Sequence, residues 1–317
     1  MNESKNVITL SPAEQRRMER FDRKSTAVAE KMLQRIRELS HCPESLAPFL
    51  ETLERIYVQK LEPRRPKDVP LVGTYCVMVP PELVYAQGAM PVKLCSGSYT
   101  AFGVGDDLAP RDACPLVKAV MGFEDVDAMP VYKNCALMAV PVTCDCKKKL
   151  AGWLAERRPT ALLHVPANRD RDEDMERFAG ELYGLSRQLT SITGTALSYD
   201  NLEAACGAMA DAQYELSRFI ELRKKHPLII RGSFSMAVMN ALSYTWVIQV
   251  TAMMSKALDL VLPMLSRLWT FIREPYMQNL RLAREQSSSL SCRCASYTRI
   301  SRISRFSRKK RKVKNNK

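Results

Sequence analysis

The chain has 317 residues, enough for one large domain or two, and 46% of them are hydrophobic, which suffices for a buried core. Of its net charge of +14, +11 comes from the last 31 residues, where eleven Lys or Arg occur without Asp or Glu, and 37 basic stand against 34 acidic residues before them. No run of about 20 uncharged apolar residues and no charged-then-apolar leader occurs, so we expect a cytoplasmic protein. There the ten cysteines would be thiols or metal ligands rather than disulfides.

Residues 1–69 are predicted to form an N-terminal helical segment. Ser11 and Glu14 have the spacing of a capping box, with Pro12 at the first helical position. A second helix is expected over Pro43–Leu61, and Cys42 is interpreted as a structural thiol. Neither helix carries residues that indicate chemistry.

Residues 70–168 alternate apolar runs with helical patterns, which is typical of βαβ units and a mostly parallel sheet. Strands are expected at Leu71–Cys76, Met90–Leu94, Leu137–Val142 and Ala161–Val165. Helices are expected at Pro81–Gln87, Pro115–Met121 and Lys147–Glu156. Gly88 and Gly122 fall where helix C-caps would lie.

Residues 169–265 read as a helical region, followed by a linker over 266–286 and a basic, disordered tail over 287–317. Helices are expected at Asp170–Ile192, Tyr199–Lys225, Ser233–Tyr244 and Val247–Leu265. The sequence contains no glycine-rich dinucleotide motif, no P-loop and no nucleophile-elbow motif.

Three cysteines share one kind of setting, because each lies where a strand or loop is followed by a predicted helix start. These are Cys76, Cys114 and Cys144. In an open α/β sheet such points converge on the edge formed by the carboxyl ends of the strands, where ligands bind. Free N–H groups at helix N-termini favour thiolates and anionic clusters. The spacing matches no compact metal motif, however, and a lone cysteine at a strand end is more often a small buried hydrophobe than a ligand.

Four segments carry a family resemblance: LVGTYC at 71–76, PELVYAQGA at 81–89, PRDACPLVK at 110–118 and TCDCKKK at 143–149. Together they resemble the 2-hydroxyacyl-CoA dehydratase D-component family, which includes benzoyl-CoA reductase subunits. LVGTYC and the lysines after TCDC are most similar to the double-cubane cluster protein branch. The resemblance covers roughly residues 70–260 and implies a flavodoxin-like α/β domain.

The resemblance also implies a cofactor and partners. The cofactor is an oxygen-sensitive iron–sulfur cluster, of the 4Fe–4S or the double-cubane type, with Cys76, Cys114 and Cys144 as ligands. The partners are an ATP-hydrolysing activator protein that delivers a low-potential electron, a second dehydratase subunit or a second copy of the chain, and an acyl-CoA or small-molecule substrate. Arg111, Lys147 and Lys148 are weaker candidates for contacts with the cluster, with CoA phosphates or with the activator.

The remaining cysteines and histidines are interpreted more plainly. Cys95, Cys135 and Cys206 are expected to be core thiols, and His164 a partnered histidine at a strand end. Cys146 departs from the family pattern, which has a small residue such as Gly there, so it could replace or disturb a ligand. A zinc site at Cys114, Cys144 and Cys146 is a weaker alternative that lacks a fourth ligand.

The C-terminal part departs from the resemblance, because a second α/β domain is expected to begin near Leu265 and the sequence instead becomes low in complexity. Cys292 and Cys294 are not expected to replace that domain's cysteines. The run KKRKV at 309–313 is typical of nuclear-localisation or nucleic-acid patches, but a reading-frame shift or truncation explains the abrupt change better. The alternative function is therefore an inactive remnant whose tail binds polyanions, with no other contact to nucleic acid.

Overall fold

The computed structural model describes residues 11–258, apart from residues 41, 96, 128, 169, 226–229, 248 and 257. The helices, in chain order, are α1 (Pro12–Arg37), α2 (Ala47–Tyr57), α3 (Pro81–Ala86), α4 (Tyr99–Gly105), α5 (Pro115–Val126), α6 (Pro130–Lys133), α7 (Asp145–Ala155), α8 (Asp172–Thr193), α9 (Tyr199–Lys225) and α10 (Gly232–Leu242). The strands are β1 (Leu71–Thr74), β2 (Met90–Lys93), β3 (Cys135–Val142) and β4 (Thr160–His164). Residues 249–256 are also helical.

The four strands form one parallel sheet in the order β2-β1-β3-β4. This order is that of the flavodoxin-like doubly wound sheet, so the predicted fold class is confirmed. β1 lies between β2 and β3, with Thr74 opposite Lys93 on one side and Ala139 on the other. All four strand carboxyl ends therefore point to the same edge of the sheet.

Alternate strand residues pack on opposite faces of the sheet, and both faces are covered by helices. One face packs against buried side chains of α1, α5 and α7, through Leu71, Val92, Met138 and Val140. The other packs against α3 and α8, through Val72, Leu137, Ala139 and Leu163. Burial on both faces explains why these strands are almost continuously apolar in sequence.

A second core joins the N-terminal helices to the helices after the sheet. α1 and α2 bury Leu33, Phe49 and Leu50 against Phe234 and Val238 of α10. At the border of this core, the hydroxyls of Tyr57 and Tyr244 lie 2.6 Å apart. Residues 11–69 therefore pack against α10, although the two segments are far apart in the sequence.

Two glycines predicted as helix C-caps differ in the structure. Gly88 follows α3 with a φ of 74°, as expected for the left-handed residue after a helix. The prediction for Gly122 is wrong, because α5 continues through it to Val126 and ends at Asp127, with a φ of 45°. Gly122 is required for another reason, since a Cβ there would overlap the backbone carbonyl of Ala101 in α4.

The outer edge of β2 is protected. Met90 and Leu94 direct their N–H groups inward, to the carbonyls of Pro70 and Thr74 at 2.9 and 3.0 Å. Between them, Pro91 has no N–H, and the Lys93 N–H donates to the Ser243 carbonyl at 3.3 Å. The outward donors of this strand are thus absent or satisfied.

Several predictions extend beyond the described residues. The helix expected at Val247–Leu265 is helical at 249–256, and its end lies outside the described part of the chain. The linker, the basic tail, Cys292 and Cys294 also lie outside it, and the predicted domain boundaries stay predictions. Within the described residues, no helix is both long and apolar enough to cross a membrane.

Candidate functional site

Cys76 lies two residues beyond the end of β1, in the turn that leads to α3. Its side chain is half-buried. Burial raises the pKa of its thiol, but hydrogen bonds from the backbone of Met78 and Val77 and from the Lys147 ammonium outweigh it, so the net pKa is lowered. Cys76 is therefore a thiol whose anionic form is stabilised, which is what ligation to a metal requires.

Lys147 connects Cys76 to the start of α7. It lies in the first turn of that helix, and its Nζ donates to Thr143 Oγ1 at 3.2 Å as well as interacting with the Cys76 thiol. Cys144 is the N-cap residue of α7; its side chain is exposed and makes no capping hydrogen bond. The free N–H groups of α7 and the Lys147 ammonium thus place positive charge beside Cys76 and Cys144.

Cys114 is the N-cap residue of α5 and is followed by Pro115, as the sequence predicted for a helix start. It is exposed and makes no capping hydrogen bond. Lys118 fixes the segment in front of it, because its Nζ donates to the Arg111 carbonyl at 2.8 Å and pairs with Asp106 at 2.6 Å. The sulfur of Cys114 is free to bind a ligand, while its backbone is held in place.

Cys95 belongs to this group of thiols, and its prediction as a core thiol is wrong. It lies two residues beyond β2 and is exposed. Desolvation raises the pKa of its thiol, Lys147 lowers it, and the neighbouring Cys76 and Cys114 raise it further. Cys95 was not identified from the sequence because the segment MPVKLC at 90–95 has the pattern of a single strand, whose last residue would lie in the core.

The other two predicted core thiols differ from each other. Cys135, at the start of β3, is buried, and its Sγ donates to the Val131 carbonyl at 3.0 Å, so that prediction is confirmed. Cys206 on α9 is exposed, so its prediction is wrong. The buried positions of that helix are instead Ala205, Ala212 and Glu215.

The weaker candidates fall in different places. Arg111 and Lys148 are exposed, in the segment before Cys114 and in the first turns of α7. Cys146 is half-buried and packs against the core on the α5 side of the sheet. His164, at the end of β4, contacts Glu181 through Nδ1 at 3.3 Å, as expected for a partnered histidine.

Within the described residues, no three Cys, His, Asp or Glu side chains are close enough together to hold a single metal ion. This arrangement gives the zinc alternative no support. A multi-iron cluster does not require three side chains around one ion, because each of its thiolates binds a different iron. Soft sulfur donors, a nearby ammonium and two helix N-termini form a donor set that fits an anionic iron–sulfur cluster.

A groove of about 900 Å³ opens beside Cys76. It runs between the carboxyl ends of β1 and β2 and the helices α8, α9 and α10. Its walls are mainly apolar, and include Met78, Tyr85, Phe178, Met209, Leu216 and Met239. Apolar concave sites of this size take ligands of cofactor or substrate dimensions.

A parallel α/β sheet with thiols and a groove at its carboxyl edge is the arrangement of the doubly wound class, whose members bind ligands at that edge. Comparison with known families makes this specific, since residues 76–265 match the 2-hydroxyglutaryl-CoA dehydratase D-component family. The chain belongs to this family. The family resemblance noted in the sequence is therefore confirmed, while its nearest branch stays a prediction.

Two curated relatives are similar to the chain over part of their length. A putative dehydratase subunit, YjiM, of Escherichia coli strain K12 is 31% identical over 167 residues, which are 53% of this chain and 44% of the relative. The lactoyl-CoA dehydratase subunit beta of Anaerotignum propionicum is 22% identical over 170 residues, which are 54% of this chain and 45% of the relative. The matched region thus spans somewhat less than half of either relative.

Proposed function

We propose that the chain is an iron–sulfur redox subunit of the 2-hydroxyacyl-CoA dehydratase type. It would remove water from a 2-hydroxyacyl-CoA through a one-electron ketyl radical, or reduce a small molecule if its cluster is a double cubane. The observation that supports this most is the position of Cys76, Cys114 and Cys144, each where a strand or loop gives way to a helix at the carboxyl side of the sheet. Family membership supplies the reaction class.

The side chains around the thiols have roles that follow from their charge. When bound, the cluster supplies a low-potential electron to the substrate. Lys147 stabilises the Cys76 thiolate and offsets part of the charge that thiolates and sulfide bring together. Arg111 and Lys148 are exposed and would attract the phosphates of CoA or an acidic surface of the activator.

The groove beside Cys76 is the proposed substrate route. Its apolar lining would exclude water from an acyl group, and Lys93 and Glu82 provide polar groups in its wall. Exclusion of water matters because a reactive radical must not be quenched before the leaving group departs. The substrate would therefore reach the cysteines at the carboxyl edge of the sheet along the apolar wall of the groove.

Partners complete the proposal. Low-potential electrons would come from an ATP-hydrolysing activator protein, in a cytoplasmic and oxygen-free setting. The matched region spans under half of its relatives. A second dehydratase subunit or a second copy of the chain would bind this chain at the proposed cluster site and enclose the cluster from the other side.

Anaerobic purification tests the cluster directly. The full chain is reconstituted with iron and sulfide under nitrogen, and both elements are measured together with the electron paramagnetic resonance spectrum of the reduced protein. We expect brown protein, and loss of the signal in Cys76→Ser, Cys114→Ser and Cys144→Ser. Cys206→Ser, at an exposed position on α9, is the matched control. A colourless wild-type chain without iron contradicts the proposal.

The basic tail supports a second candidate. Residues 287–317 carry eleven Lys or Arg and no acidic residue, and such a segment binds polyanions in a salt-dependent way. Nucleic-acid binding that weakens with salt and disappears on deletion of 287–317 would favour an inactive remnant with a binding tail. Binding that survives the deletion would count against this candidate.

A further inference from the structure

Cys95 and Cys76 lie at the same level on neighbouring strands. Thr74 of β1 is opposite Lys93 of β2, and the Leu94 N–H donates to the Thr74 carbonyl at 3.0 Å, so the pairing continues beyond the strands. Each cysteine comes two residues after this last matched pair. Since neighbouring parallel strands are about 4.8 Å apart, the two backbones meet the edge of the sheet side by side.

The residues just before the two cysteines are also alike. Tyr75 and Leu94 are both buried in the core on the α5 side of the sheet. Cys76 is half-buried and Cys95 is exposed, so both thiols lie outside that core.

The segment after Cys95 leads to the third thiol. Ser98 caps α4 by accepting from the Ala101 N–H at 3.3 Å, and α4 then crosses α5 with Gly105 against the backbone of Lys118. α5 begins at Cys114. Gly97, two residues after Cys95, lies close to Leu116 in the first turn of α5, whose Cδ2 would be 3.5 Å from a Cβ at position 97. The segment after Cys95 therefore passes beside the start of α5, where Cys114 lies.

We propose that Cys95 is a further thiolate ligand at the site of Cys76 and Cys114, for an iron–sulfur cluster whose thiolates bind different irons. The cluster would then be held by sulfur from the ends of β1 and β2 and from the start of α5, with Lys147 beside them. This inference rests on the proposed function for the identity of the metal centre. The position of Cys95 itself depends only on strand register and exposure.

The first test is iron uptake by the full chain under anaerobic conditions. Cys95→Ser, Cys76→Ser and Cys206→Ser are reconstituted in parallel, and iron, sulfide and the electron paramagnetic resonance spectrum are measured. We expect Cys95→Ser to lose iron or to change the spectrum as Cys76→Ser does, with Cys206→Ser like wild type. Thermal unfolding of each variant separates lost ligation from lost folding. A Cys95→Ser chain with wild-type iron and spectrum overturns the proposal.

The second test does not depend on iron. The metal-free, reduced chain is titrated with Cd²⁺, which is expected to bind the pair of thiolates of Cys76 and Cys95, and its thiolate charge-transfer absorption reports how many sulfurs bind. We expect Cys95→Ser to lower the Cd²⁺ affinity about tenfold or more, on the scale of changes around metal sites, and to reduce the absorption. If wild type binds Cd²⁺ through Cys95 but takes up no cluster, only the proposed function fails. If wild type binds neither, both proposals fail.

Discussion

Gly105 of α4 lies directly against the backbone carbonyl of Lys118 in α5, so closely that a Cβ at position 105 would overlap it. The contact is reciprocal, because Gly122 of α5 is equally close to the Ala101 carbonyl of α4. The two helices therefore cross backbone to backbone. This crossing sets where α5 begins, and with it the position of Cys114.

The first prediction concerns this crossing. Gly105→Ala forces the helices apart and should lower the free energy of unfolding by about 1–3 kcal/mol, the usual cost of overpacking. Gly103, in the same helix, has open space around it. Gly103→Ala should raise stability by about 0.5–1 kcal/mol, because alanine favours helix over glycine. Urea denaturation measures both, and equal effects at the two positions would contradict the predicted clash.

The second prediction concerns Lys118, whose side chain is only 4% exposed. Lys118→Met removes the donor to the Arg111 carbonyl and the partner of Asp106. We expect a loss of about 1–3 kcal/mol, with faster hydrogen exchange over residues 106–114. Lys133→Met is the matched control, because the Lys133–Asp127 pair is exposed and should contribute about 0–1 kcal/mol. Similar losses in both variants would refute the role assigned to Lys118.

The third prediction is a pH dependence centred on Glu124. Its side chain is 2% exposed, accepts from the Tyr75 hydroxyl at 2.9 Å and pairs with Arg158 at 3.1 Å. Burial raises the pKa of this carboxyl to about 7, with Asp127 adding to the rise and Arg158 and Tyr75 opposing it. The folded protein therefore holds the proton more tightly than the unfolded chain does, where the pKa is near 4.5.

Stability should consequently fall as the pH rises from about 4.5 to about 7, because unfolding releases a proton in this window. The pKa difference corresponds to roughly 3 kcal/mol. Glu124→Gln cannot titrate, so its stability should change less across the window. Unfolding free energies of both chains at about pH 5 and about pH 7.5 test this, with Glu176→Gln on the exposed side of α8 as control. Parallel curves for wild type and Glu124→Gln would rule out this origin of the pH dependence.

The fourth prediction concerns Gln87, which is fully buried after α3. Its Nε2 lies 2.9 Å from the Ser186 carbonyl, 2.8 Å from Thr190 Oγ1 and 3.2 Å from the Thr195 carbonyl. Gln87→Leu removes the Gln87 amide donor from all three acceptors, although the Ser186 carbonyl still accepts from the Thr190 hydroxyl at 3.0 Å, and should cost about 1–3 kcal/mol. Gln188→Leu, at an exposed position of α8, should change stability little. A neutral Gln87→Leu would mean that water replaces the amide.

The sheet was predictable because its signals are local. Apolar runs followed by helix-start residues located all four strands and three of the helices between them, α3, α5 and α7, and the proline after Cys114 marked the start of α5. The bounds differ by a few residues, since strand pairing ends at Thr74 and Lys93 rather than at the last apolar residue.

The errors share a different cause, because they depend on contacts between distant segments. Gly122 looked like a helix end, and only the approach of α4 explains why glycine is needed inside α5. α4 itself, over Tyr99–Gly105, is too short to give a periodic signal. Cys95 looked like part of an apolar strand, and only the register between β1 and β2 shows that it lies beside Cys76 at the carboxyl edge of the sheet.

The protected outer edge of β2 has a consequence for handling the protein. An edge strand with free donors recruits strands from other molecules and promotes aggregation. Here Pro91 and the Ser243 carbonyl leave β2 without a donor for an incoming strand. Concentrated apoprotein should therefore resist association through this strand for as long as the backbone around Ser243 stays in place.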